Sequence, residues 1–178
     1  MENNINIRKA MLSEARVIAE IGIKTWQVAY KDLLPAEMLT GSDIDKQIKK
    51  REEIILAYTN CWPGIYVAEY NDKIVGFLTI GNIEENEIAK PYIKNSAELL
   101  AIYVLPEYHK LGIGYSLMNT AKQIFKANGY SKFVLWCLKD NKNSRKFYER
   151  QGGVLIGEME KVLRGTMQTE VCYLYDLD

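Results

Sequence analysis

One stretch, Glu98 to Tyr115, constrains the fold of this chain more than any other: ELLAIYVLPEYHKLGIGY. An apolar run from Leu99 to Leu105 ends at Pro106, crosses a short charged turn, and meets Gly112-Ile113-Gly114 just as a helical pattern begins. The order is strand, glycine-bearing loop, helix start. The first N–H groups of a helix lack intrahelical acceptors and point, with the positive end of the helix dipole, at one spot. An anion fits there, a phosphate above all.

The flanking sequence supplies elements for such a junction to sit in. Ile5-Asn6-Ile7-Arg8 alternates as a strand does, and Ser13 stands at an N-cap position before Val17, Ile18, Ile21, Thr25, Val28 and Ala29, predicting a helix to about Tyr30. Pro35 opens a helical turn. Ser42 or Asp43 caps a further helix that turns Ile44, Ile48, Ile55 and Tyr58 inward and keeps Asp45, Lys46, Lys49, Lys50, Arg51, Glu52 and Glu53 on a solvated face. Trp62-Pro63-Gly64 ends it. Ile65–Tyr70 and Lys73–Ile80 flank Asn71-Asp72 as a hairpin. Gly81–Asn95, rich in Glu, Asn and Lys, predicts a long exposed loop, either a substrate lid or a plain variable loop.

Beyond the central stretch, Leu117, Ala121, Ile124 and Phe125 continue the helix until Asn128-Gly129 stops it. Lys132–Leu138 is a nearly continuous apolar strand, and a strand-helix-strand succession predicts a parallel pair through a right-handed crossover. Asn141–Gln151 reads as a helix closed by Gly152-Gly153, and Val154–Ile156 with Val171–Tyr175 as an antiparallel pair around Arg164-Gly165. The expectation is one α/β domain over residues 1–178 with a mixed sheet.

Composition excludes several function classes. Lys plus Arg equals Asp plus Glu at 23 each, so there is no surplus of positive charge to displace phosphate counterions, and nucleic acid is not an expected partner. Cys61, Cys137 and Cys172 form no CxxC pair and only one histidine is present, which argues against a metal site and against a disulfide framework. The N-terminus MENNINIRKA lacks a basic region followed by an apolar core, and no apolar run approaches the roughly 20 residues that span a bilayer. These features point to the cytoplasm, with no membrane partner.

A glycine pair at a helix start has several possible owners. A dinucleotide-binding fingerprint needs a third glycine where Leu117 stands, and a Walker loop needs Gly-Lys-Ser or Gly-Lys-Thr, absent here. The surrounding residues instead resemble the GNAT superfamily of N-acetyltransferases. That signature is an apolar strand ending in Pro, then Gln or Arg, two residues, Gly, one residue, and Gly or Ala; His109-Lys110-Leu111-Gly112-Ile113-Gly114 matches in all but the first position. A second signature, Asn, two residues, a small residue, two residues, Phe-Tyr and a later glycine, matches Asn141, Ser144, Phe147, Tyr148 and Gly152. Trp26 through Tyr30 to Leu34-Pro35 resembles a bacterial branch of the same superfamily.

The resemblance implies a GNAT-like fold over the whole chain: a mixed, mostly antiparallel sheet with a splayed parallel central strand pair, flanked by helices. It implies acetyl-CoA as cosubstrate, with the pyrophosphate held by Lys110, Leu111, Gly112, Ile113, Gly114 and Tyr115, chiefly through their backbones. His109 replaces the usual Gln or Arg, and its imidazole either touches phosphate or lies on the surface. Tyr103, Val104 and Leu105 line the pantetheine arm, with the Val104 N–H a donor to the thioester oxygen that strengthens as charge builds there. Asn141 either contacts that arm, with Ser144 nearby, or caps the last helix.

Acetylation needs a neutral amine, whereas alkyl amines are mostly protonated near neutral pH. The resemblance assigns Glu98, on the same strand face as Leu100, Ile102 and Val104, as the base, acting directly or through a water. It assigns Tyr148, a phenol protonated at neutral pH, as the acid beside the coenzyme sulfur. Trp26 and Tyr30, with Leu34, are expected at the acceptor, alongside the acidic Glu84, Glu85 and Glu87. The acceptor is a small amine such as a polyamine, aminoglycoside or amino acid, or a peptide amino group. The alternative is a sensor that holds an acyl-CoA without turnover. Dimers are common among similar proteins, which leaves a homodimer open, and no stretch marks an interface.

Overall fold

The computed structural model of the chain describes residues 4–83, 86–92, 94–163 and 165–177. Its elements, in chain order, are β1 (Ile5–Lys9), α1 (Ala15–Tyr30), α2 (Ala36–Thr40), α3 (Ile44–Ala57), β2 (Gly64–Tyr70), β3 (Lys73–Asn82), β4 (Ser96–Val104), α4 (Ile113–Ala127), β5 (Lys132–Leu138), α5 (Lys142–Arg150), β6 (Val154–Leu163) and β7 (Thr166–Asp176). The seven strands form one mixed sheet in the order β1-β2-β3-β4-β5-β7-β6. β4 and β5 run parallel, as the crossover requires, and the β1-β2, β2-β3, β5-β7 and β6-β7 ladders are antiparallel.

By internal packing the chain divides into two units, residues 1–80 with 101–121, and residues 81–100 with 122–178. β4 contributes to both. In the first unit, Ile18 and Ile21 of α1 and Ile55 of α3 bury their side chains with Ile65 and Val67 of β2 and Phe77 of β3. Asp43 caps α3, accepting from the N–H groups of Asp45 and Lys46, which stabilises a helix start by about 1 kcal/mol. Asn71 and Asp72 both take positive φ, +49° and +63°, as a two-residue hairpin turn between right-twisted strands demands.

Ser13, expected as a cap, does not cap α1. A 3-10 turn, Leu12–Glu14, precedes the helix, and the Glu14 carboxylate accepts from the Met11 N–H at 2.8 Å while binding Arg8. Burial pushes the Glu14 carboxyl up, but hydrogen bonds from Arg8 and Met11 prevail and hold it below its ordinary value. The Met11 N–H lies upstream of α1, so this bond fixes the turn that leads into the helix and does not cap α1 itself. Arg51 also departs from expectation: it is half-buried, because residues 44, 48, 51 and 55 fall on one stripe of α3.

In the second unit, α5 packs on one face of β5 and β7. Phe133 and Tyr175 stack with ring centroids 4.4 Å apart, and Phe125, in the last turns of α4, lies 5.0 Å from Phe133. The Tyr173 hydroxyl accepts from Arg145 and donates to Glu149, tying α5 to β7. β6 and β7 are far longer than Val154–Ile156 and Val171–Tyr175, because much of β6 is exposed and shows little apolar alternation. The segment 81–95 is only partly an exposed loop: β3 extends to Asn82, Ala89 is fully buried, and Ile88 fills the space beside Gly157. Glu84 and Glu85 lie outside the described residues; Glu87 is exposed.

Candidate active site

In the first unit the junction anticipated from sequence is present. Pro106–Tyr108 makes a 3-10 turn after β4, Lys110 takes φ +65° and Gly112 φ +84°, and α4 begins at Ile113. Left-handed residues alternating with ordinary ones turn successive N–H groups toward a common side. The Ser116 N–H is the first to reach a helical acceptor, the Gly112 carbonyl, at 2.9 Å. Among the described residues no protein acceptor meets the N–H groups of Lys110, Leu111, Gly112, Ile113, Gly114 or Tyr115. A row of open donors at the positive end of a helix is a fitting cradle for a pyrophosphate. A Cβ on Gly112 would meet nothing within 4 Å, so the volume over the loop is open.

The end of β4 presents its backbone in the manner that the pantetheine assignment needs. The Leu105 N–H donates to the Val75 carbonyl of β3 at 2.8 Å, and the Tyr103 carbonyl faces Gly76 of β3 so closely that a Cβ there would stand 2.7 Å away. Strand alternation then turns the Val104 N–H and carbonyl to the other edge. Within the second unit, the β4-β5 ladder runs over Ser96 to Leu99.

His109 occupies that edge from the loop. Its Nε2–H donates to the Val104 carbonyl at 2.9 Å, and the ring is exposed at the surface. Sequence reasoning missed this contact because five residues and a 3-10 turn separate the two groups. Trp26 and Tyr30 of α1 lie ring to ring, centroids 4.3 Å apart, with Tyr30 buried.

In the second unit stand Glu98, Asn141, Ser144 and Tyr148. Glu98 is a buried carboxylate, 5% exposed, whereas Leu100, next on the same face, is 50% exposed; the face opens within two residues. The register Glu98↔Val134, Val134↔Leu174 and Trp136↔Cys172 puts Glu98 on the face of Cys172. Burial, and after it the Glu98 charge, pushes the Cys172 thiol up to about 12. Tyr148 lies on the opposite face: its ring is 6.2 Å from that of Tyr173, and its carbonyl accepts from the Tyr175 hydroxyl at 2.8 Å. Asn141 is the cap of α5, accepting from the Ser144 N–H at 3.1 Å.

Gly153 explains how Tyr148 is held. A Cβ there would stand 2.8 Å from the Tyr175 hydroxyl and 3.1 Å from the Tyr148 carbonyl, so only glycine lets the chain leave α5 beneath these two tyrosines. Among the described residues, no helix is long and apolar enough to cross a membrane.

Comparison with known proteins agrees with this geometry. The family model of the acetyltransferase (GNAT) family matches residues 26–153, more than half of the chain. The chain is 24% identical over 168 residues to the uncharacterized N-acetyltransferase YuaI of Bacillus subtilis, covering 94% of this chain and 90% of that one. It is 25% identical over 151 residues to the spermidine N(1)-acetyltransferase of Thermoplasma acidophilum, covering 84% and 88%. Its fold is shared with the crystal structure of PaiA N-acetyltransferase from Thermoplasma acidophilum in complex with coenzyme A, at a TM-score of 0.72 and 22% identity over 97% of this chain and 99% of that one. By sequence motif, by sheet topology and by these matches, the chain belongs to the GNAT family of acetyltransferases.

Proposed function

We propose that this chain, acting as one GNAT domain, transfers the acetyl group of acetyl-CoA to a primary amine by direct attack, with no acetyl-enzyme. The observation that carries the reading is the row of open N–H donors from Lys110 to Tyr115 at the start of α4. The acceptor is a small amine, a polyamine, aminoglycoside or amino acid, or the amino group of a peptide. The coenzyme supplies an acetyl group activated as a thioester. Lys110 through Tyr115 hold its pyrophosphate, and the Val104 N–H, turned away from β3, orients its acyl end.

Glu98 takes a proton from the incoming amine. Its face opens at Leu100, a route by which one water can relay that proton to the buried carboxylate. Tyr148 gives its phenolic proton to the sulfur as the carbon–sulfur bond breaks. The two groups lie on opposite faces of the β4-β5-β7 portion of the sheet, which suits a base at the entering nucleophile and an acid at the departing thiol. Burying a carboxylate costs free energy that a sensor without turnover has no need to spend, and this favours the enzyme.

The test is the rate of coenzyme thiol release against pH for the wild type and Glu98→Gln. Loss of a general base is expected to lower turnover about a hundredfold and to flatten the rising limb of the profile, with coenzyme affinity retained. A variant with the wild-type rate and profile would remove Glu98 from the reaction.

A further inference from the structure

Among the described residues, no carboxylate answers Arg51. It stands on the inner stripe of α3, half-buried, with its guanidinium over the Phe77 ring, Cζ 5.6 Å from the centroid. Its Nη2 lies 3.6 Å from where a Cβ on Gly22 of α1 would stand. Among the described residues it makes no ion pair and no hydrogen bond, and its Nε is fully buried without a partner. Burial pulls the group below the ordinary guanidinium value, with the nearby Tyr103 phenol opposing it.

A buried charge is normally paired, because desolvation costs more than packing of the methylene stem returns. Arg8 shows the ordinary solution in the same unit, with Glu14 and Glu69 both on its guanidinium. Among the described residues Arg51 has no such partner. Its surroundings are those expected of an acceptor site: the stripe that begins at Gly22 continues one turn on to Trp26 and two turns on to Tyr30, and Tyr103 of β4 borders Phe77 at 5.5 Å. Gly22 is itself half-exposed, so solvent reaches this place.

We propose that Arg51 binds a carboxylate on the acceptor, so that the amine acetylated by this chain is an amino acid with an apolar or aromatic side chain. The inference rests on the acetyltransferase reading above and narrows it. A carboxylate is preferred to a phosphate because one guanidinium offers a planar two-pronged donor and one charge, which a carboxylate matches and a phosphate dianion leaves half-neutralised. The rings of Phe77, Tyr103, Trp26 and Tyr30 suit an apolar side chain. A polyamine would bring further positive charge to a cation that has none to spare.

The experiment pairs each acid with its decarboxylated amine: phenylalanine with phenethylamine, leucine with isopentylamine, methionine with 3-(methylthio)propylamine. Binding to the chain saturated with coenzyme A is measured by calorimetry, and acetylation by thiol release, in the wild type, Arg51→Met and Arg51→Lys. The wild type is expected to prefer the acid of at least one pair. Arg51→Met should weaken that acid roughly ten- to a hundredfold, leaving the matched amine and coenzyme affinity unchanged, with Arg51→Lys between. A purely structural arginine would leave the ratio within each pair untouched by either substitution, and that result overturns the proposal. So does a wild type that binds no acid better than its amine. Acetylation of polyamines alone would refute the carboxylate and keep the acetyltransferase; binding of acids without thiol release would do the reverse.

Discussion

Gly112→Ala separates the conformation of the phosphate loop from its use. Gly112 holds φ +84°, and a residue with a Cβ adopts that region at a cost of about 1 to 2 kcal/mol. No heavy atom lies within 4 Å of the added carbon, so strain is the whole cost to the free protein, a fall in Tm of roughly 2 to 8 °C. The cost to coenzyme binding is larger. The added methyl enters the volume that phosphate oxygens would take, and each hydrogen bond to a charged group is worth about 1.5 to 3 kcal/mol. Losing one of them weakens coenzyme A binding roughly ten- to a hundred-and-fifty-fold, and losing two weakens it further. Calorimetric titration of coenzyme A into wild type, Gly112→Ala and Gly112→Asn measures it. Asparagine tolerates positive φ, so the Asn variant should recover most of the lost Tm and little of the lost affinity. Coenzyme affinity within twofold of wild type in both variants would refute the phosphate assignment.

Tyr148→Phe removes only the phenolic proton; thiol release should fall about tenfold or more with coenzyme affinity retained, and an unchanged rate would take Tyr148 out of the reaction. Gly153→Ala drives a carbon to 2.8 Å from the buried Tyr175 hydroxyl and should cost about 1 to 3 kcal/mol in thermal or urea unfolding. His109→Ala breaks the bond to the Val104 carbonyl and should weaken coenzyme binding several-fold, with His109→Gln restoring it, as read by the same titration. Cys61 is exposed and should react at once with a thiol reagent, while Cys137 and Cys172 stay silent until the chain unfolds. Their thiols are raised by burial to about 12, so the stability they contribute is complete below the ordinary thiol value of 9.0 and is lost as pH rises toward 12; Tyr175, raised by burial too, adds to this alkaline loss. A denaturation midpoint flat across that window would contradict it.

The elements that carry the reading were legible because they obey local rules. Asp43 and Asn141 cap as their chemistry suggests, Asn71-Asp72 turns the hairpin, and Lys132–Leu138 alternates too little to be anything but a strand covered on both faces. What escaped depends on partners distant in sequence. Ser13 sits inside a 3-10 turn fixed by the Glu14 carboxylate on Arg8 and the Met11 N–H, and His109 bonds a strand carbonyl that periodicity does not reveal. Ala89 is buried and Ile88 half-buried in a segment whose glutamates and asparagines read as solvated, since Gly157 leaves room for the isoleucine. Arg51 was hidden among charges of α3, although its spacing from Ile44, Ile48 and Ile55 already placed it inward. Composition classed it with its neighbours; the helical period did not. The roles of Glu98 and Tyr148 came from resemblance alone, and no local rule would have chosen them.

The most direct test of the central claim is stoichiometry. The protein is given acetyl-CoA and one amine at a time, with free thiol and the mass of the amine followed together and the fast Cys61 reaction taken as the blank. The account predicts that, for some amine, each thiol released is matched by one amine heavier by one acetyl group, and that both signals fall together in Tyr148→Phe. Tight coenzyme binding with no thiol release above the amine-free rate, across polyamines, aminoglycosides, amino acids and peptides, would contradict it and leave a protein that holds the coenzyme without spending it.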